Sequence, residues 1–129
     1  MNRVIKFRGR TRGTWYCGDL EFNPSQNVVR IHSYNDNGKY LGQHIVDLET
    51  VGQFTGLKDV NGIDIYEGDI IRCTLLDEKE RIGVVVYEKG CFWFICINGY
   101  SDEYLINMCD KEVIGNMYDN PELLGRGQQ

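Results

Sequence analysis

The chain has 129 residues, 42% of them hydrophobic and 26% charged, with two prolines; this suits one compact unit or two very small ones and excludes a large multidomain enzyme. Aromatics at 12%, together with well-spread Val, Ile and Leu, exclude disorder as the main state, because enough apolar surface can be buried to offset chain entropy. The net charge of −5 hides an asymmetry, since Arg3, Lys6, Arg8, Arg10 and Arg12 share an opening stretch without Asp or Glu. A basic end on an acidic body suits either phosphates or the acidic face of another subunit.

Five cysteines, Cys17, Cys73, Cys91, Cys96 and Cys109, form an odd set without a C-x-x-C pair. No apolar stretch resembles a signal peptide, so reduced thiols in a cytoplasm are expected. The longest apolar run, Cys91 to Ile97, falls far short of the roughly 20 residues of a membrane-spanning helix, and no membrane association is expected.

Taken in chain order, β-branched and aromatic residues come in short runs separated by Gly, Asn and Asp, which predicts strands throughout and almost no helix. The pair Asn37-Gly38 separates Val28–Ile31 from the segment Tyr40–Val46, and Asn-Gly tolerates the positive φ of a tight hairpin turn. Asn61-Gly62 and Asn98-Gly99 repeat the signal. A further hairpin is predicted at Lys89-Gly90, where a two-residue loop sets Tyr87 opposite Phe92 and Val85 opposite Phe94. Both of its faces are apolar, with Val84, Val86, Trp93 and Ile95 on one and Val85, Tyr87, Phe92 and Phe94 on the other. One face is expected to fill a barrel, and the other to be covered by more of the chain or by a partner. At the end, Asn120-Pro121-Glu122-Leu123-Leu124-Gly125 reads as one capped helical turn, followed by a loose tail over 126–129.

The phrases Phe7-Arg8-Gly9, Gly13 and Tyr16-Cys17-Gly18-Asp19-Leu20 recur in order as Phe54-Thr55-Gly56, Gly62 and Tyr66-Glu67-Gly68-Asp69-Ile70. Each half also closes similarly, with Val51-Gly52-Gln53-Phe54 and Ile114-Gly115-Asn116-Met117, which suggests two related β units joined near residue 52. In this reading Gly18, Asp19, Gly68 and Asp69 are structural turn residues, the glycine permitting a tight turn and the carboxylate accepting N–H bonds within it.

Over nearly its whole length the chain resembles the YopX-like proteins of bacteriophages and prophages. The resemblance rests on Ile5-Lys6-Phe7-Arg8-Gly9, on Val51-Gly52-Gln53-Phe54-Thr55-Gly56-Leu57-Lys58-Asp59 and on Ile65-Tyr66-Glu67-Gly68-Asp69. Val113-Ile114-Gly115-Asn116 and Asn120-Pro121-Glu122-Leu123-Leu124 complete it. It implies a phage-encoded, largely β protein of SH3-like barrel topology and supplies no catalytic residues. The Cys91–Ile97 run departs from it in being rich in cysteine and aromatics.

Catalytic and metal chemistry finds little support. An uninterrupted strand sends Cys91 and Cys96 to opposite faces, so they cannot share a zinc ion, while His32 and His44 each stand alone. With two His, three Ser and no Gly-x-Ser-x-Gly, a small hydrolase is the least favoured reading. The pairs Asp77-Glu78 and Asp102-Glu103 read as solvated turns. Ser33 to His44 lacks the first carboxylate and closing Glu of a calcium loop, and Gly9 and Gly13 lack the Gly-Lys-Ser/Thr of a phosphate loop.

The expectation is therefore an all-β protein of two small SH3-like barrel units in tandem, 1–52 and 53–129, packed as one folding unit and ending in a short helical turn. It is expected to be non-enzymatic, without metal or cofactor, and to bind a protein partner or a second copy of itself through Phe92, Trp93 and Phe94. The alternative is single-stranded nucleic acid, contacted by Lys6, Arg8, Arg10 and Arg12 with Trp15 as a stacking surface.

Overall fold

The computed structural model describes residues 3–128 and is all β, with 3₁₀ turns as its only helical elements among them. The strands form two antiparallel sheets, and the chain divides into two compact units, one ending at Phe54 and the other beginning at Thr55.

The first unit is a meander of β1 (Phe7–Thr11), β2 (Thr14–Asn23), β3 (Val28–Tyr34) and β4 (Tyr40–Val46), followed by a 3₁₀ turn (Leu48–Thr50) and the start of β5 (Gly52–Lys58). Its strands lie in the order β4-β3-β2-β1-β5. The Asn37-Gly38 turn is as expected, with the Asn35 side chain accepting N–H bonds from Asn37 and Lys39. Val29, Ile31 and Val46 form the core, joined by Phe7, Tyr16 and Val51.

Gly18 lies within β2 rather than at a turn, and Asp19 follows it in the strand. Up to Gly18, β2 pairs with β1; from Asp19 onward it pairs with β3. Gly18 has φ 152°, and a Cβ built on it would stand 1.9 Å from the His32 carbonyl oxygen. Only glycine lets β2 change partners while β3 passes this close.

The strands curl until the backbone just past β4 meets β1, with Asp47 N–H donating to Arg10 O at 2.9 Å. Thr50, buried beside them, accepts from Arg10 N–H and donates to the Asp47 carbonyl. β4 has no ladder partner except β3 among the described residues. The sheet is thus open, and the closed barrel of the sequence expectation does not form.

The second unit contains the end of β5, then β6 (Asp64–Tyr66), β7 (Asp69–Thr74), β8 (Arg81–Glu88), β9 (Cys91–Cys96), β10 (Glu103–Tyr104) and β11 (Cys109–Asn116). Five of them form an open sheet ordered β10-β9-β8-β7-β11. The β8–β9 hairpin has the predicted register, Tyr87 opposite Phe92 and Val85 opposite Phe94, because Lys89 and Gly90 both take positive φ in a two-residue loop. Gly68 lies in the turn between β6 and β7, and Asp69 beside it accepts the Tyr66 N–H at 2.8 Å.

The core comprises Ile65, Ile71, Cys73, Val85, Phe94, Leu105 and Met108. Of the expected two-sided hairpin, Val85 and Phe94 are fully buried, Tyr87 is exposed, and Val84, Val86, Trp93 and Ile95 are half-buried. The closing helical turn is a longer 3₁₀ segment, Pro121–Gln128, so it occupies most of the stretch expected as a tail, of which residue 129 lies outside the described residues. The Asn120 side chain accepts from Asn116 N–H instead of capping that segment.

Asp59 pins the β5–β6 turn to β11, accepting N–H bonds from Asn61 (2.8 Å), Ile63 (2.9 Å) and Val113 (2.9 Å). Burial pushes its carboxyl up, but the three donors prevail and hold it below the ordinary value. A carboxyl more acidic in the folded than in the unfolded state stabilises fully above its unfolded pKa, and that contribution drains away as the pH falls through the folded pKa.

Urea midpoints should therefore hold steady near neutrality and fall below pH ~4. Asp59→Asn should cost about 1–3 kcal/mol at neutral pH and flatten the acid limb. Gly18→Ala should cost about 2–4 kcal/mol in the same assay, through strained backbone and overpacking against β3; an unchanged midpoint would show that β3 can give way.

Candidate functional site

Antiparallel pairing puts Arg8 opposite Cys17 and Arg10 opposite Trp15, so these four side chains share the face of the β1–β2 hairpin opposite Phe7 and Tyr16. Arg8 Cζ stands 4.5 Å from the Trp15 ring centroid and Arg10 Cζ 5.9 Å, while Lys6 Nζ lies 4.8 Å over the Phe54 ring. All four side chains, Lys6, Arg8, Arg10 and Trp15, are half-buried. The structure thus gathers the expected cations around aromatic rings, where cation–π attraction occupies the Trp15 face that was expected to stack on a base. Arg12, by contrast, is exposed at the hairpin tip with φ 52°.

Arg12 belongs to a different feature. A cavity of about 790 Å³ is lined by Thr11, Arg12, Thr14 and Tyr16 from the hairpin, Arg30 from β3, and Gln43, His44 and Ile45 from β4. Three consecutive β4 residues cannot all point to one face, so the cavity runs along the edge of that strand. Tyr16 and His44 stack nearly parallel, with ring centroids 3.6 Å apart and 13° between planes. Arg30 is held by Gln26 Oε1 at 3.2 Å and lies 3.8 Å from Glu21 Oε2. The lining carries two arginines and neither Asp nor Glu, on a chain whose net charge is −5. Such a site favours an anion, and the stacked rings and hydroxyls favour one with a flat, partly polar body.

Arg30, Gln43 and His44 escaped the sequence reading. His44 stood alone on its strand, and only the curl of the sheet brings it to Tyr16.

The remaining candidates have structural work. Phe94 is 0% exposed, and Phe92 packs against the same core, which removes Phe94 from any surface. Trp93 lies on the other face of β9, 4.5 Å from Tyr104, and donates Nε1–H to the Glu88 carbonyl. Asp77 forms a two-pronged ion pair with Arg81 at 2.8 and 2.9 Å, and the Arg81 hydrogen bond holds its carboxyl well below the usual range. Asp102 accepts from Cys96 N–H, and Glu103 from Tyr104 N–H and Asn107. No group of three His, Cys, Asp or Glu residues suited to a metal occurs among the described residues, nor does a helix long and apolar enough to cross a membrane.

The sequence pattern of the YopX protein family matches residues 6–125. The chain belongs to that family. It is also similar to the ribosome maturation factor RimM of Staphylococcus aureus, strains JH9 and Newman among others, at 28% identity with 68% of each protein covered. Among solved structures it is similar to protein EF1440 from Enterococcus faecalis, with TM-score 0.48, 21% identity, and 94% of this chain and 98% of the other covered.

All five cysteines of this YopX-family chain are free thiols. Burial pushes the Cys73 thiol up to about 12, whereas Cys17 and Cys109 are exposed. A disulfide reagent at pH ~8 should modify Cys17 and Cys109 within minutes and reach Cys73 only after denaturation; prompt modification of Cys73 in the native protein would refute this.

Proposed function

We propose that the protein is a non-enzymatic phage accessory module whose first unit binds single-stranded nucleic acid in the Arg12–Arg30 cavity. One observation carries the reading: the cavity lining has two arginines, a stacked Tyr16–His44 pair and no acidic side chain. Proteins that hold single strands combine cationic contacts to the backbone with aromatic faces for the bases. The name of the RimM relatives gives further support, since the ribosome whose maturation it mentions is an RNA–protein particle.

A second reading is association with a protein or with another copy of the chain. It is favoured by the Trp93–Tyr104 pair, in which Trp93 is half-buried and Tyr104 is 46% exposed.

Binding of a fluorescent oligouridylate, followed by anisotropy from 50 to 300 mM salt, tests the first reading. Two backbone contacts give a log–log salt slope of about −1.4 on a single strand. Arg12→Gln and Arg30→Gln should each weaken binding by about tenfold and reduce the slope by about 0.7, while Lys39→Gln in the exposed β3–β4 turn should bind like the parent protein. Binding that ignores both arginines would overturn the proposal. Light scattering over a hundredfold range of concentration tests the second, which requires the mass to rise above that of one chain.

A further inference from the structure

On the face of the first unit opposite its core, Glu21, His32 and Tyr40 form a hydrogen-bonded chain across three adjacent strands. His32 Nε2 is 2.6 Å from Glu21 Oε1, and His32 Nδ1 is 2.9 Å from the Tyr40 hydroxyl oxygen. A carboxylate accepts, so Nε2 carries a hydrogen, and in the neutral ring this leaves Nδ1 as the acceptor for the Tyr40 O–H. This is the connectivity of a base-assisted nucleophile: a hydroxyl bonded to a base, and a base oriented by a carboxylate.

The surroundings suit that role. Arg30 Nη1 lies 3.8 Å from the second Glu21 oxygen, Asp19 sits across from His32 in the β2–β3 register, and Gln43 flanks His32 on β4. The backbone supplies the approach. A register shift between Ser33 and Tyr34 brings Tyr40 opposite Tyr34, with ring centroids 5.4 Å apart in an edge-on contact, so the phenol reaches back over His32. Tyr40 is 47% exposed, so the residue is reached from solution.

We propose that Tyr40 is a nucleophilic acceptor site for group transfer, taking an acyl, phosphoryl or sulfonyl group from an electrophile that carries its own leaving group. The Tyr40 oxygen attacks the electrophilic centre and forms the new bond. The bond to the leaving group breaks and its electron pair departs with that group. The phenolic proton passes to His32 Nδ1, and Glu21 steadies the resulting imidazolium through Nε2–H. Tyr40 stays modified, so the reaction is a single acceptance and not turnover. Glu21 and His32 act here as positioning residue and base.

An aryl sulfonyl fluoride is the probe, with fluoride as leaving group and the modified tyrosine located by peptide mass spectrometry. Tyr34, equally exposed at 47%, and Tyr87, at 51%, serve as comparisons within the same molecule. Tyr40 should be labelled at least tenfold faster than either. Glu21→Gln and His32→Phe should bring its rate down to that of Tyr34 without changing the rate at Tyr87, and slow amide exchange at the buried Val29 and Ile31 reports that the first unit is still folded. Equal labelling of Tyr40 and Tyr34 in the parent protein, or a Tyr40 rate that both variants leave unchanged, would overturn the proposal. If His32→Phe alone unfolds the first unit, Glu21→Gln carries the decision.

Discussion

Much of the first unit turns on the missing side chain at residue 18. Two peptide backbones meet there at a distance that excludes a Cβ, and β2 exchanges β1 for β3 at that point. A ten-residue strand with one partner throughout would make a flatter sheet. Divided at Gly18, β2 bends, the meander curls, and the chain beyond β4 comes back to bond with β1. Curling brings Tyr16 of β2 against His44 of β4, although β3 separates the two strands in the sheet order. The cavity that carries the proposed function therefore depends on backbone geometry at a residue that does not line it.

Gly68 occupies the corresponding point of the recurring phrase. There the chain makes a true turn between β6, which neighbours β5, and β7, which pairs with β8. In both halves the Gly-Asp step thus marks a change of strand partner, reached by a bend within one strand in the first and by a break between two strands in the second. The carboxylates have diverged accordingly: Asp69 is 1% exposed and holds the Tyr66 N–H, whereas Asp19 is exposed on an open face.

What the sequence made legible is what local chemistry decides. Turn residues set the loop length, loop length sets the register, and the β8–β9 pairing followed from Lys89-Gly90 alone. The near-absence of helix was likewise legible from the short β-branched runs. Closure was not, because whether a sheet meets its own far edge depends on twist summed over several strands, which no single segment encodes. Burial of one hairpin face was legible only as an alternation: parity placed Phe94 beside Val85, but which face met the core depended on strands far away in the chain.

The site shows the same division more sharply. A run of cations beside a tryptophan reads as an exposed binding stripe because sequence records charge and not its neighbours. Once strand pairing places Arg8 and Arg10 on the same face as Trp15, their guanidinium groups lie against the indole, and the one member of the run left on the tip is Arg12. Its companions in the cavity, Arg30 and His44, stand eighteen and thirty-two positions further on. Neither is unusual in its own segment, since a half-buried arginine or histidine on a strand is ordinary. Their meaning is collective: in a protein of acidic pI, about 5.0, a concavity whose lining carries two arginines and no carboxylate repels an anion less than the rest of the surface does, even with Glu21 3.8 Å from Arg30. That contrast between site and surface gives a negatively charged strand a reason to seek this cavity over the rest of the molecule.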